Sequence, residues 1–172
     1  MPTNTVSTPP PGLDPVDYIE QTRADYEHLG FEAYRWAHNP DTVPLAPLQK
    51  PLSASRLGII ASGGIYVRGQ VAFHFKDDTS YRRVPIDTGQ QDLRVSHFAY
   101  DVSDARRDTN VVLPLHALKK MMVEGVIGSL ATHALTFMGG IYSQRRVREE
   151  LIPALDDELR DQRADIALLV PV

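Results

Sequence analysis

The stretch DIALLVPV, Asp165 to Val172, decides the fold. Six of its eight residues are apolar, and they run almost without interruption. A half-exposed strand alternates polar and apolar residues. A near-continuous apolar run instead predicts a central parallel strand covered on both faces. Ahead of it Ser143 can cap a helix whose apolar positions are Val147, Leu151, Leu155 and Leu159. Pro153 must kink that helix or start a second one, because it lacks an N–H and its ring crowds the preceding turn. Further back, Ile127 to Met138 is a second strand candidate, closed by Gly139-Gly140. Pro114 opens a helix carrying Leu115, Leu118, Met121 and Met122, and Gly125 ends it. Arg56 to Val67, RLGIIASGGIYV, reads as a buried strand and a tight turn at Gly63-Gly64. Strand, helix, strand, helix, strand predicts an α/β chain: a layered, mostly parallel sheet with flanking helices, flavodoxin-like or a related three-layer arrangement.

The flanks are less regular. Residues 1–13 are polar and proline-rich and read as a disordered leader. Residues 14–54 read as a helix followed by an arm. Asp14 can cap the helix, Pro15 suits its first position, Asp17 favours its positive end, and Gly30 stops it. Tyr34 and Trp36, among four prolines, predict an extended arm with aromatic anchors. Residues 55–172 form the α/β domain. Residues 70–93 are polar and suit a long loop or small hairpin, and Leu93 to Phe98 a short strand.

Composition narrows the function. The 172 residues carry a formal net charge of -4, which argues against broad phosphate-backbone binding. No apolar run reaches the ~20 residues that span a bilayer, and no signal peptide is legible, so the expected location is the cytoplasm. Cysteine is absent, which removes disulfides, thiolate metal sites and a cysteine nucleophile from these residues. Gly63-Gly64 lacks the G-x-G-x-x-G spacing of a dinucleotide fingerprint.

A small set of polar and glycine residues remains as site candidates. His97, Tyr100, Asp101 and Asp104 fall in SHFAYDVSD after a predicted strand. They can orient a substrate or move a proton, or simply hold a loop through an Asx turn and a buried histidine. His133 is a second candidate, or a satisfied core histidine. His97, His133 and Asp101 lack close ligand spacing, so no metal is expected. Gly63, Gly64, Gly139 and Gly140 follow strands and permit close backbone approach to a substrate or cofactor, or are plain turn glycines. By the end of DIALLVPV the chain has reached the edge where open α/β sheets hold ligands. That predicts either a further strand-helix portion beyond Val172 or an edge completed by a partner.

Several blocks occur in an order that resembles one family. They are KPLS from Lys50, SHFAYD from Ser96, Asn110 to Pro114, the Phe137-Met138-Gly139 turn and ADIALLVPV from Ala164. From about Tyr18 to Val172 the chain is similar to the selenoprotein component B of glycine, sarcosine, betaine and D-proline reductases. The resemblance implies a dithiol-dependent oxidoreductase that cleaves a C–N bond of an amino acid or betaine. It implies a selenocysteine or cysteine immediately after Val172, with a second cysteine two residues on. It also implies other reductase subunits as partners, one of them possessing a pyruvoyl group, and a dithiol donor. Residues 1–172 alone are then expected to be inactive. Either a selenocysteine codon was read as a stop, or the chain was cut there. A non-catalytic binding or scaffold subunit of the same descent is the other reading. The sequence leaves the oligomeric state open.

Overall fold

The computed structural model describes residues 17–33 and 37–172. The leader 1–13, the Asp14–Pro15 helix start and the Tyr34 and Trp36 anchors lie outside those residues. The chain divides between Val43 and Pro44 into two compact units.

In the first unit, helix α1 spans Tyr18–His28. Its cap is Asp17, not Asp14. The Asp17 carboxylate accepts from the Ile19 and Glu20 N–H groups at 3.1 Å each, satisfying two donors that have no partner inside the helix. Gly30, at φ +78°, ends it as expected.

In the second unit, strand β1 is Arg56–Ala61 and β2 is Ile65–Val67. The run Arg56 to Val67 is therefore two strands in two sheets. Gly64 adopts φ +71° between them and turns the chain away. Strand β3, Arg82–Pro85, pairs antiparallel with β6, His133–Thr136. A strand thus occupies part of the segment expected to be a long loop or a small hairpin, and its partner is the distant β6. Strand β4, Leu93–Val95, pairs antiparallel with β2 in a separate two-stranded sheet. Strand β5 is Ser129–Leu130, and β7 is Ile166–Val170.

The register places the main strands. Leu57 pairs with both Leu130 and Ile166, and Ile60 with both Leu135 and Leu169. Strands β5 and β6 therefore lie on one side of β1, and β7 on the other, all parallel to it. Three steps on β1, Leu57 to Ile60, face five on the opposite run, Leu130 to Leu135. Ala131 and Thr132 are the extra residues, which is why one apolar run reads as two strands. With β3 antiparallel at the far edge, the sheet is mixed.

Alternation along β1 separates two packing clusters. Leu57, Ile59 and Ala61 pack with Leu115 and Leu118. Ile60 packs with Leu135, Leu151 and Leu155. The first cluster is served by helix α3, Leu115–Val123, which follows a short α2, Ser103–Arg107. The second is served by α5, Ile152–Asp161, beyond a short α4, Gln144–Arg146. Ser143 caps α4 as predicted, its hydroxyl accepting from Arg146 N–H at 3.4 Å. Pro153 cannot donate to the Glu149 carbonyl, and the turn over Val147–Leu151 widens to π spacing just before it.

One expectation is corrected. Strand β7 is parallel, but it pairs only with β1 among the described residues. Ile166, Leu168 and Val170 face the first cluster, whereas Ala167 and Leu169 are exposed, Leu169 by 65%. Within residues 44–172 it is an edge strand with one open face, where the apolar run predicted a central one. No helix among the described residues is long and apolar enough to cross a membrane.

Candidate functional site

Strands β1, β6 and β7 end together, and their continuations meet. Beyond β1 come Ser62, Gly63 and Gly64; beyond β6, Phe137 to Gly140; beyond β7, Pro171 and Val172. Backbone bonds knit these segments. Ser62 N–H donates to Val170 O at 3.1 Å, Gly139 N–H to Ser62 O at 2.9 Å, and Gly64 N–H to Phe137 O at 2.9 Å. The Ser62 hydroxyl accepts from Val172 N–H at 2.9 Å. Ser62 was not among the sequence candidates. Its only signal was a hydroxyl following a buried parallel strand.

The SHFAYD loop closes over this end. Ser96 N–H donates to Gly64 O at 2.9 Å, and the Tyr100 hydroxyl donates to Gly63 O at 2.8 Å. Burial, only partly opposed by Arg106, holds the Tyr100 hydroxyl above its ordinary range. His97 is buried, with its ring 4.7 Å from that of Tyr100 and 6.0 Å from that of Phe98. Its Nδ1 accepts from Ala99 N–H at 3.0 Å, so the neutral ring carries its proton on Nε2. That buried Nε2 completes no hydrogen bond. Burial lowers the His97 pKa, and the Ser62 backbone opposes the shift without satisfying the nitrogen.

The glycines here are packed against the chain itself. A Cβ on Gly63 would lie 2.8 Å from Val112 Cβ, and one on Gly139 would lie 2.9 Å from Ser62 Cβ. Beside Gly64 stands the Ser96 carbonyl, and beside Gly140 the Phe98 ring.

The remaining candidates stand elsewhere. Asp101 accepts from Ser103 N–H at 2.9 Å in an Asx turn, and those Ser103 bonds hold its carboxyl below the usual range. Asp104 pairs with Arg107 at 3.0 Å on an exposed face. His133 opens β6, at the opposite end from these loops, where its N–H donates to Gln162 Oε1 at 2.8 Å. Three residues of extended chain separate it from Phe137. Among the described residues no cluster of three His, Asp or Glu could hold a metal ion.

Two measurements probe this site. Tyr100→Phe removes the bond to Gly63 O and should cost about 1 kcal/mol, read as a lower urea midpoint at unchanged slope; an unaltered midpoint would deny the bond. The second concerns pH. His97 binds its proton less readily folded than at the ordinary 6.5 of the unfolded chain. The stability it contributes is complete above pH 6.5 and is lost as pH falls from 6.5 to its lower folded pKa. Between about pH 7.5 and about pH 5.5, wild type should therefore lose more stability than His97→Gln. Equal losses would show that His97 is not buried in its neutral form.

The geometry defines an α/β chain with a mixed sheet, whose parallel strands end in tightly packed glycine loops beside a buried histidine. The model of the glycine/sarcosine/betaine reductase selenoprotein B family matches residues 28–170, and the chain belongs to that family. It is 30% identical over 123 residues to the D-proline reductase subunit gamma of Acetoanaerobium sticklandii, a match covering 72% of this chain and 51% of that one. It is 27% identical over 135 residues to the glycine reductase complex component B subunit gamma of Symbiobacterium thermophilum, covering 75% and 31%. It is 30% identical over 105 residues to the sarcosine reductase complex component B subunit beta of Peptoclostridium acidaminophilum, covering 58% and 24%. The chain thus spans about half the length, or less, of the curated relatives it matches. No solved structure matches it.

Proposed function

We propose that the chain is the amino-terminal part of a component B-type selenoprotein subunit, in a dithiol-dependent reductase that cleaves the C–N bond of an amino acid or betaine. The observation that carries this reading is the anchoring of Val172 to the Ser62 hydroxyl, beside the Gly63 backbone and where the parallel strands end. A residue following Val172 continues past the carboxyl ends of the parallel strands, the side on which open α/β sheets hold ligands. A selenocysteine or cysteine there, with a second cysteine two residues on, supplies the nucleophile and the electron pair.

The residues present fit such a group. His97 offers a buried, unpartnered Nε2–H among packed rings, and a neutral imidazole donor stabilises an anion without a proton transfer. Tyr100 fixes Gly63, and Ser62 fixes Val172, so the segments beyond β1 and β7 keep one spacing. The open edge and outer face of β7 provide the place for a further strand and helix, which would complete a flavodoxin-like sheet. Other reductase subunits are the expected partners, one with a pyruvoyl group, in the cytoplasm.

The test extends the coding frame past Val172. A UGA codon followed by a Cys codon two positions on is expected. The extended protein, made with Cys in place of selenocysteine, should then release ammonia or amine from glycine, sarcosine, betaine or D-proline with dithiol and the partner subunits. An ordinary terminator, or an extended protein without dithiol-dependent turnover on any of the four, would favour a non-catalytic binding subunit and overturn the proposal.

A further inference from the structure

Ahead of β1 runs a proline-rich arm, Pro44 to Pro51. Its three prolines fix φ, and Ala46 and Lys50, each before a proline, are held extended. Pro51, at φ -57° and ψ 150°, has polyproline II geometry. With about three residues per turn, Pro44 and Pro47 share one edge of such a helix, and Leu45, Leu48 and Pro51 the next. Leu45 is 86% exposed, and Leu48 is exposed as well. The base of the arm is pinned. The Ser55 hydroxyl donates to Pro51 O at 2.9 Å, and Lys50 pairs with Asp165 at 2.7 Å. Ahead of that base, Pro44 to Gln49 hydrogen-bond to no other element among the described residues.

An aromatic surface lies beyond the other end of the parallel strands, built from three distant segments. The Phe98 ring stands 5.7 Å from that of Phe75 and 6.3 Å from that of Tyr142. All three are exposed, Phe98 least, by 39%. The frame beneath them is fixed. The Asp77 carboxylate accepts from Tyr142 N–H at 2.7 Å and from Ser143 N–H at 3.0 Å, and Gly140 packs against the Phe98 ring. Three adjoining rings held in water on a fixed frame mark an interaction surface.

Polyproline II segments dock on aromatic surfaces. Prolines lie flat against the rings, and a backbone that is already extended loses little entropy on binding. The chain supplies both halves, but one copy cannot join them. Pro51 lies just before β1, whereas Gly140 and Phe98 lie beyond Ser62, past its far end. Arg56 to Ser62 spans about 20 Å of strand. Pro47 to Pro51 spans only about 12 Å, so Pro47 falls short of its own rings. We propose that the arm of one copy lies across Phe75, Phe98 and Tyr142 of a second copy. By two-fold symmetry each copy gives one arm and receives one. The inference does not depend on the reductase reading, which is judged by dithiol-dependent turnover.

The test is sedimentation velocity of the chain over a concentration series. Two short arms make a small interface, so a dimer with a Kd on the order of 10 μM is expected. Phe75→Ser, and separately Pro44→Ala with Pro47→Ala, should each weaken the dimer at least about tenfold. These side chains are exposed, so far-UV circular dichroism should stay unchanged. Mixing the two variants restores one of the two contacts. The mixture should therefore associate more tightly than either variant alone. A chain that stays monomeric to about 1 mM would overturn the proposal. A dimer that survives either change has another interface, such as the open edge of β7, and overturns it too. So does a mixture that associates no better than its components.

Discussion

Gly64→Ala should destabilise the chain by about 3 kcal/mol, far more than the same change at Gly125. Both glycines have positive φ, +71° and +73°, so the intrinsic penalty on a side chain is similar, about 1 kcal/mol. Their surroundings differ. Around Gly125 no atom lies within 4 Å of an added Cβ. At Gly64 the Cβ runs into the Ser96 carbonyl oxygen, with the Ser96 carbonyl carbon at 2.9 Å and His97 Cβ at 3.4 Å behind it. The obstacle is backbone and cannot rotate away. It must move, yet Ser96 N–H is bonded to Gly64 O, and Gly64 N–H to Phe137 O. Displacing this link separates the SHFAYD loop from the end of β6. Urea unfolding at constant slope measures both variants. Equal midpoints for the two would show that the close approach at Gly64 is not enforced.

Leu135→Ala should cost about 3–4 kcal/mol, whereas Leu169→Ala should stay within about 0.5 kcal/mol. The two leucines pair with the same residue, Ile60, from opposite sides. Leu135 has no exposed surface and packs with Leu151 and Leu155. Truncation there loses the transfer free energy and leaves a void that β3 and β1, fixed on either side, prevent from collapsing. Leu169 is 65% exposed, and truncation leaves no void. Comparable losses for both would mean that β7 is covered in solution by something these residues do not supply. In a longer chain continuing past Val172, a rise in the Leu169→Ala cost is expected for that same reason.

Much of the fold was legible. Pro114 and Gly125 bracket α3, Ser143 caps α4, and Pro153 marks the π turn, because these residues act through their own backbone geometry. Strand β3 was not legible. Arg82, Arg83 and Pro85 read as loop, and only Val84 is buried, so the segment offers no alternation to detect. It is a strand because β6 presents a free edge to it. The cap of α1 fell on Asp17 for a related reason. Two aspartates compete within one turn, and only the helix start decides which carboxylate meets free N–H groups.

The site divides along the same line. Glycines after strands read as room for a substrate or cofactor, or as plain turn glycines; Gly63, Gly64, Gly139 and Gly140 converge, and what approaches them is the chain itself. His97 and Tyr100 converge there too, although Tyr100 meets Gly63 across 37 positions. Asp101 and Asp104 are neighbours of Tyr100 in sequence and yet serve their own turn and helix. His133 lies only four positions before Phe137, but an extended strand places it about 13 Å away at the other end of the sheet.

DIALLVPV shows the boundary most clearly. Its apolar composition is enough to demand a strand, since no exposed helix or loop tolerates so many adjacent apolar side chains, and the pairing with β1 is parallel as read. Whether that strand is central or at an edge is a question about neighbours. Hydrophobicity states how much surface must leave water; only the assembled sheet decides which elements cover it. In residues 44–172, β1 covers one edge and the first packing cluster one face, and Ala167 and Leu169 remain in solvent.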